Sequence, residues 1–278
     1  MKVYEIIKNA LYEDIRDGDI TTEVFIDRSL RFKGCFIAKE NGVLCGIDFA
    51  KKVFKYLNSR SRFDIFKKDG DVIKKDEKIM FVYSDRTIFS GERTALNILQ
   101  RLSGIATKTK KFVDIASRYG VKIYATRKTT PNFRVMEKYA VRCGGGYAHR
   151  YGLYDAFMIK DNHIRVCGFE KIKERISIAR KKYRGYEIVI EAQSFDEVLK
   201  IIDIDCDVIM LDNMGLKDME KAIKLIRGKR KDLEIEISGG VNEKNIEVFS
   251  KLRPDRISIG SLTHSYKSID ISLEIELY

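Results

Sequence analysis

The sequence predicts an α/β protein in which a mixed front part precedes a closed or nearly closed β/α barrel. From about residue 120 onward, short apolar or β-branched runs alternate with helical patterns of roughly ten to fifteen residues. At least six such runs occur, and no dinucleotide-binding glycine fingerprint follows the first of them. Alternation of this kind requires a parallel sheet with right-handed crossovers. An open doubly wound sheet is the alternative architecture.

The front part, up to about residue 90, has the pattern of a smaller mixed domain. An amphipathic start is followed by short alternating runs, such as "RFKGCFIAKENGVLCGI", which are typical of antiparallel strands joined by glycine turns. A long helical stretch follows, and Ser90 or Thr94 could cap its beginning. Four apolar residues fall on one face of that helix: Leu96, Leu99, Leu102 and Ile105.

The back part is built from a repeated strand-and-helix unit. Its predicted strands are "VKIYA", "AFMI", "EIVI", "DVIML", "EIEI" and "RISI". Its predicted helices are "FRVMEKYAV", "FEKIKERISIARKKY", "SFDEVLKIID", "LKDMEKAIKLIRG" and "NEKNIEVFSKL". The strands are short and β-branched, as strands buried between helices usually are.

Composition narrows the class of protein. The 278 residues carry a net charge of +12, which fits either a nucleic-acid binder or a lysine-rich protein with anionic small-molecule substrates. Because the basic residues are spread along the whole chain, we predict no nucleic-acid partner. The longest apolar runs are too short to cross a bilayer, and the N-terminus lacks the apolar core of a signal peptide. We therefore expect a cytoplasmic protein with no membrane partner.

Cysteine and histidine are too scattered to form a recognisable metal motif. The five cysteines contain no C-x-x-C pair, so we expect reduced and mostly buried thiols. The three histidines are also far apart in the sequence.

Charged residues and glycines stand where the predicted strands end, which is where β/α barrels carry their chemistry. The first strands end in cations, the middle ones in one carboxylate each, and the last two in glycine. The residues in question are Thr126, Arg127, Lys128, Lys160, Asp161, Asn162, His163, Glu191, Asp212, Asn213, Ser238, Gly239, Gly240, Gly260 and Ser261.

Each of these groups has its own chemical interpretation. The cations, together with Arg150, are expected to converge on an acidic ligand, since arginine holds a carboxylate or phosphate through two parallel hydrogen bonds. Glu191 and Asp212 follow neighbouring strands and could hold Mg²⁺, although Glu191 alone could also be a helix cap or an ion-pair partner. The glycines fit a phosphate cradle of backbone N–H groups. Together the groups indicate a phosphoribosyl or phosphoryl transfer.

With these motifs, the chain resembles the quinolinate phosphoribosyltransferase family over nearly its whole length. The segments that carry the resemblance are "GERTALNILQRLSGIAT", "TRKTTPNFRVMEKYAVRCGGGYAHRYGLYDAFMIKDNH", "IMLDNM" and "SGGV". The resemblance implies an N-terminal α/β sandwich domain, residues 1–108, completed by the C-terminal tail, residues 267–278. The sandwich packs on an incomplete β/α barrel, residues 109–266. It also implies a homodimer, or a hexamer of dimers, with active sites shared between two chains.

The resemblance further implies the site residues and one cofactor, Mg²⁺. The implied substrate-binding residues are Arg93, Thr126, Arg127, Lys128, His149, Arg150, Lys160, Glu191, Asp212, Ser238, Gly239, Gly240, Ile259, Gly260 and Ser261. Those expected to be catalytic are Lys128, Lys160, Glu191 and Asp212. Arg93 would reach across from the partner subunit, Glu191 and Asp212 would hold Mg²⁺ or the ribose hydroxyls, and residues 238–240 and 259–261 would cradle the 5′-phosphate.

The implied reaction joins quinolinate to phosphoribosyl pyrophosphate (PRPP), giving nicotinate mononucleotide, pyrophosphate and CO₂ in de novo NAD biosynthesis. A related transferase for another acid is disfavoured by the "IKDNH" strand end, and a nicotinate-specific enzyme by the presence of Arg150 and Lys160. The chain departs from the family pattern at Ala125, at Tyr147 and Ala148, and after Glu191, where it reads "AQS". Ala125 stands where many relatives have aspartate, and Tyr147 lies in a variant of the common "GGGHNHR"; either could alter the pocket.

Overall fold

The computed structural model describes residues 2–278, and the chain forms two units. The first unit comprises the residues up to Lys110, Thr129–Gly145 and Leu262–Tyr278. The second comprises Lys111–Lys128 and Gly146–Ser261. Residues 129–145, which the sequence division places with the barrel, therefore group with the first unit.

The described strands are short, and most of them end in a turn or a helix. They are β1 (Phe32–Ala38), β2 (Gly42–Val43), β3 (Arg62–Ile65), β4 (Val72–Ile73), β5 (Lys78–Ser84), β6 (Lys122–Tyr124), β7 (Phe157–Ile159), β8 (Ile188–Ala192), β9 (Val208–Asp212), β10 (Glu234–Ser238), β11 (Arg256–Ser258) and β12 (Ile271–Leu277).

The helices range from a single turn to a 30-residue helix. They are α1 (Val3–Ile15), α2 (Ile20–Phe25), α3 (Ile47–Leu57), α4 (Thr87–Ala116), α5 (Arg134–Cys143), α6 (Asp161–Cys167), α7 (Phe169–Lys182), α8 (Phe195–Ile201), α9 (Leu216–Lys229), α10 (Ile246–Lys251) and α11 (Ser261–His264).

An antiparallel sheet in the order β12-β1-β5-β3 organises the first unit. Along β1, buried and half-buried residues alternate, because one face of the sheet packs on the core and the other does not. The last strand of the chain, β12, pairs with β1 in a register that runs from Phe32 opposite Leu277 to Ala38 opposite Ile271. The C-terminal residues thus belong to the same sheet as residues near the start of the chain.

The long helix α4 carries the apolar face that the sequence predicts. Leu96, Leu99, Leu102 and Ile105 are all at most 2% exposed. The expected caps are wrong, because the helix begins at Thr87, whose backbone N–H donates to the Asp85 carboxylate at 3.0 Å. Ser90 lies inside the helix and its hydroxyl donates to Asp19 at 2.8 Å.

A parallel sheet in the order β6-β11-β10-β9-β8-β7 forms the second unit. From β7 to β11, each strand pairs with the strand that follows it in the chain. The last of these, β11, also pairs with β6, the first strand of this sheet. A doubly wound sheet would reverse direction along this order, whereas a barrel returns to its first strand. β6 and β7 are the two edges of this sheet, so the barrel is incomplete. The predicted fold class is confirmed.

Two further features concern the helices and the cysteines. Among the described residues, every helix is too short or too polar to span a bilayer. All five cysteines carry free thiols; Cys45 and Cys206 are buried, Cys35 and Cys143 are half-buried, and Cys167 is exposed, contrary to the expectation of mostly buried thiols.

Candidate active site

A cavity of about 480 Å³ opens at the carboxyl ends of the parallel strands. Its wall is formed by strand-end residues of the second unit, as expected for a β/α barrel. These residues are Ala125, Thr126, Arg127, Lys128, His149, Arg150, Met158, Lys160, Glu191, Met210, Asp212, Asn213, Glu236, Ser238, Gly239, Gly240 and Ser258. The structure thus brings eleven of the fifteen expected substrate-binding residues into one cavity.

The cations on one side of the cavity are close enough to influence each other. Burial, followed by the positive charge of Arg127, lowers the pKa of the Arg150 guanidinium. The Arg150 side chain is held in place by its Nη1 donating to the Ala156 carbonyl at 3.2 Å. Bringing like charges together in a half-buried site is unfavourable unless an anion binds between them, so this side of the cavity is built for an acidic ligand.

Lys160 and Glu191 face each other across the ends of β7 and β8. The Lys160 ammonium donates to the Glu191 carboxylate and forms an ion pair with it. Burial raises the pKa of Glu191, although the Lys160 contact opposes that shift. A ligand that displaces Lys160 would therefore raise the pKa of Glu191 further.

A buried charge network lies beneath these groups. The Glu236 carboxylate, with 0% of its side chain exposed, lies 3.0 Å from Arg256 Nε and 3.4 Å from His149 Nε2. Burial favours the neutral acid, but His149 and Arg256 outweigh it, and the pKa of Glu236 falls below its ordinary value of 4.5. Burial works against the charge on Arg256, but Glu236 and the other carboxylates prevail and raise the pKa of the guanidinium.

The ring of His149 has a defined tautomer. Its Nδ1 accepts a hydrogen bond from the backbone N–H of Arg150 at 2.7 Å. With Nδ1 engaged as an acceptor, a ring proton is carried by Nε2, which faces Glu236. His149 also has a left-handed backbone, with φ of 51°, which turns the chain so that both His149 and Arg150 line the cavity.

The turn after β10 brings backbone close to the ligand space. Gly239 has φ of +90°, and a Cβ atom built there would lie 2.8 Å from the backbone nitrogen of Asn213. Asn213 in turn donates through its backbone N–H to the Ser238 carbonyl at 3.0 Å and through its side chain to Asp212 at 2.9 Å. Only glycine fits this position, and its bare backbone leaves room for a bulky anionic group.

The other four expected residues do not line this cavity. Ile259, Gly260 and Ser261 follow β11 but are not among the residues that line the cavity in the described part of the chain. Arg93 is exposed on α4, in the first unit, beside a different depression that also contains Asp14.

Two of the departures from the family pattern, Ala125 and Tyr147, differ in their position relative to the cavity. Ala125 is fully buried and forms part of the cavity wall. Tyr147 stacks on Tyr124, with ring centroids 5.0 Å apart and planes 14° from parallel, and it is absent from the cavity lining of the described residues. Only Ala125 is therefore placed to affect a ligand directly.

Sequence reasoning missed several residues of the cavity wall, and one of them, Glu236, is charged. It stands in the middle of "EIEI", where it reads as one of two alternating acids on a half-exposed strand. Residues two apart on a strand face the same side, so in a barrel strand both acids point inward, and acids inside a parallel strand were the available signal. Ser258 carries a similar but weaker signal.

The oxygen donors present fit a magnesium ion. Glu191 and Asp212 end adjacent strands, and Asp212 is near enough to contribute to the raised pKa of Glu191. Two carboxylates without soft ligands are what Mg²⁺ takes when it also bridges to phosphate.

Comparison with known proteins gives a consistent result along the whole chain. Residues 19–103 match the family model described as quinolinate phosphoribosyl transferase, N-terminal domain, and residues 105–274 match the corresponding C-terminal domain. A probable carboxylating nicotinate-nucleotide pyrophosphorylase of Bacillus subtilis is 38% identical, over 100% of this chain and 94% of the relative. One of Methanocaldococcus jannaschii is also 38% identical, over 99% of this chain and 97% of the relative. The solved structure of the nicotinate-nucleotide pyrophosphorylase from Francisella tularensis superposes with a TM-score of 0.92 at 37% identity, over 99% of this chain and 96% of that one.

Proposed function

The chain belongs to the quinolinate phosphoribosyl transferase family, and on this basis we propose that its strand-end cavity transfers phosphoribosyl from PRPP to quinolinate. The products are nicotinate mononucleotide, pyrophosphate and CO₂, in de novo NAD biosynthesis. Family membership confirms the enzyme class and the reaction that the sequence predicts.

One observation carries the assignment of this reaction to the cavity. Four cationic side chains, Arg127, Lys128, Arg150 and Lys160, line the same 480 Å³ space as a glycine turn and the carboxylates of Glu191 and Asp212. Quinolinate brings two carboxylates and PRPP brings phosphates, so both substrates are anionic where the cavity is cationic.

We assign the steps as follows. The cations hold the two carboxylates of quinolinate so that the pyridine nitrogen faces the anomeric carbon of the ribose. The nitrogen attacks as pyrophosphate leaves, and the Glu191 carboxylate stabilises the electron-poor ribose centre. The carboxyl group next to the ring nitrogen then leaves as CO₂. The cationic ring takes up the electron pair, and a proton replaces the lost group on carbon. No covalent bond to the enzyme is needed.

Mg²⁺ is the proposed cofactor, held by Glu191 and Asp212. When bound, it supplies positive charge to the departing pyrophosphate. Lys160 contacts Glu191 and would have to move or share that carboxylate when the ion binds.

We also propose that the active protein is a homodimer, or a hexamer of dimers, in which Arg93 completes the partner's cavity. Support comes from the exposure of Arg93 on α4 and from its absence among the described residues that line the cavity of its own chain. The cytoplasmic location stays a prediction.

A direct assay tests the proposed reaction. Purified protein with quinolinate, PRPP and Mg²⁺ should release pyrophosphate and CO₂ in equal amounts. Turnover of nicotinate or another pyridine acid, with none of quinolinate, would overturn the substrate assignment. Salt-sensitive DNA binding without turnover would favour a nucleic-acid-binding role.

Arg150→Lys tests whether the cavity grips a carboxylate. The lysine keeps the charge but loses the two-pronged hydrogen bond, so we expect the KM for quinolinate to rise about 10- to 100-fold. The KM for PRPP should change much less. Arg184→Lys is the matched control, because Arg184 is exposed and outside the cavity lining. Equal rises in both KM values would contradict a specific role in quinolinate binding.

A further inference from the structure

Two thiols lie side by side in the first unit, and neither is among the described residues that line the cavity. The Sγ atoms of Cys45 and Cys143 and a carboxylate oxygen of Asp69 all lie within 4.8 Å of one another. Cys45 comes just before α3 and Cys143 is the last residue of α5, so the fold brings together positions that are far apart in the sequence.

The two thiols differ in access. Cys45 is 0% exposed, whereas Cys143 is half-buried. A small oxidant in solution therefore reaches Cys143 first, and Cys45 lies behind it.

They also differ in acidity. The hydrogen bond from Cys45 lowers the pKa of Cys143 in spite of burial and the nearby negative charge of Asp69. Burial raises the pKa of Cys45 far above the ordinary value for a thiol. Cys143 is thus the more readily ionised of the two thiols, with Cys45 as the donor to it, and the thiolate is the form that reacts.

Asp69 positions the pair and is already engaged. Its Oδ1 accepts the backbone N–H groups of Gly46 and Ile47 at 2.8 and 3.0 Å, at the start of α3. Its Oδ2 accepts the hydroxyl of Tyr139 at 2.7 Å, on α5. The carboxylate thus ties the two cysteine-bearing segments together. Because three donors occupy it, the chemistry left to this cluster is that of the two thiols.

We propose that Cys45 and Cys143 form a peroxide-reactive dithiol that closes to an intramolecular disulfide. The Cys143 thiolate attacks one oxygen of hydrogen peroxide, the O–O bond breaks, and hydroxide leaves; the hydroxide becomes water by taking up the proton that Cys143 released when it ionised. Cys143 is then a sulfenic acid. The Cys45 sulfur attacks the Cys143 sulfur, the S–O bond breaks, and a second water leaves with the Cys45 proton. The two thiols lose two electrons and two protons, and the peroxide is reduced to two waters.

The disulfide would link the end of α5 to the start of α3. A cross-link between distant positions restricts the unfolded chain, so the oxidised protein should be the more stable form. A small dithiol reductant would restore the two thiols.

Peptide mapping of the full-length protein tests the link. Reduced protein is treated with a small excess of hydrogen peroxide, remaining thiols are alkylated after denaturation, and the chain is cut with trypsin. We expect one cross-linked species that joins the peptide of residues 40–51 to that of residues 143–150. Cys206, which is 3% exposed, should remain alkylatable and serves as the internal control. Cross-links to other cysteines or between chains, or an unlinked oxidised Cys143 that persists, would overturn the proposal.

Single variants separate the two roles. Cys45→Ser should stop the reaction at a Cys143 sulfenic acid that a 1,3-diketone captures, and Cys143→Ser should leave Cys45 unoxidised. Oxidation should raise the Tm by about 5 °C or more in the wild type and in the matched Cys206→Ser variant, and in neither single variant of the pair. An oxidised Cys45 in Cys143→Ser would contradict the assigned order. If a variant fails to fold, the peptide map of the wild type still decides the question.

Discussion

Glu236 keeps a negative charge although its side chain is fully buried. An isolated carboxylate would become neutral there, because burial disfavours its charged form. It stays ionised because Arg256 lies 3.0 Å away and His149 approaches from the cavity side. Glu236 thus lies between the buried Arg256 guanidinium and the ring of His149, which lines the cavity. We infer that it orients His149 for substrate.

Glu236→Gln should destabilise the protein mainly by leaving Arg256 with a weaker partner. Removing one charge of a buried pair costs about 3–5 kcal/mol, and the similar shape of glutamine places the expected loss near the lower end. Glu234→Gln is the matched control, because Glu234 lies on the same strand with 43% of its side chain exposed and 3.5 Å from Arg256. Urea unfolding at pH 7 measures both; equal losses would contradict the special role of Glu236.

The same substitution should change the pH dependence of stability. The folded-state pKa of Glu236 lies below the ordinary 4.5, so its contribution is present above that pH. It is lost as the pH falls from about 4.5 through the lowered folded-state value. We expect Glu236→Gln to flatten this part of the acid limb of the stability curve, and Glu234→Gln to leave it. An unchanged acid limb in Glu236→Gln would argue that the carboxylate is already neutral.

At this scale the sequence predicts the residues that end strands and misses those inside them. Glu191 and Asp212 can be found because the carboxyl ends of parallel strands are where barrels place polar groups. Glu236 cannot be found in this way, because the direction of a side chain within "EIEI" depends on which strands flank it. Arg93 is identified by family resemblance alone, since nothing in its local pattern marks a site.

At the scale of elements, the turn after β10 is defined by Gly239. The left-handed backbone there, φ of +90°, costs a residue with a Cβ about 1–2 kcal/mol, and the approach to Asn213 adds a steric clash. Since Asn213 follows β9, the turn joins the ends of two neighbouring strands through its backbone. The glycine therefore serves both the turn and the shape of the proposed phosphate cradle.

Gly239→Ala should raise the KM for PRPP about tenfold or more, because the turn must shift away from the phosphate. The KM for quinolinate should change less. Gly185→Ala is the control for backbone strain alone, since Gly185 has φ of +81° with open space around its Cβ position. Steady-state kinetics with each substrate varied decides the question. If Gly185→Ala had the same effect on PRPP, general destabilisation would be the better explanation.

Local sequence pattern predicts that an element exists better than it predicts where the element begins and ends. The apolar face of α4 is visible as a helical repeat, but the helix begins before the expected caps because Asp85, rather than Ser90, accepts its first N–H groups. The two-residue strands β2 and β4 pair only with each other, and segments that short carry no periodic signal.

For the molecule as a whole, strand order follows from the alternation of elements, while distant pairings do not. The return of β11 to β6 is what right-handed crossovers produce when repeated around a barrel. The pairing of β12 with β1 joins the two ends of the chain, and no local pattern near residue 271 indicates it. The grouping of α5 with the first unit is equally non-local, since its Glu137 accepts from Arg101 on α4.

The proposed dimer makes a prediction that only two chains together can satisfy. If Arg93 acts in the partner's cavity and Lys160 in its own, Arg93→Ala and Lys160→Ala should each be nearly inactive alone. A mixed dimer then has one cavity with both residues intact and one with neither. Random subunit exchange makes half the dimers mixed, so activity should recover to about a quarter of the wild-type value.

The control pairs two substitutions within one cavity, Lys160→Ala and Arg150→Ala. Both residues line the same cavity of the same chain, so every mixed dimer has one defect in each site and should stay inactive. Native mass spectrometry of differently tagged chains establishes that exchange has occurred. Recovery in the first mixture and none in the second assigns Arg93 to the partner's cavity. If the first mixture stays inactive although exchange is demonstrated, each chain completes its own site.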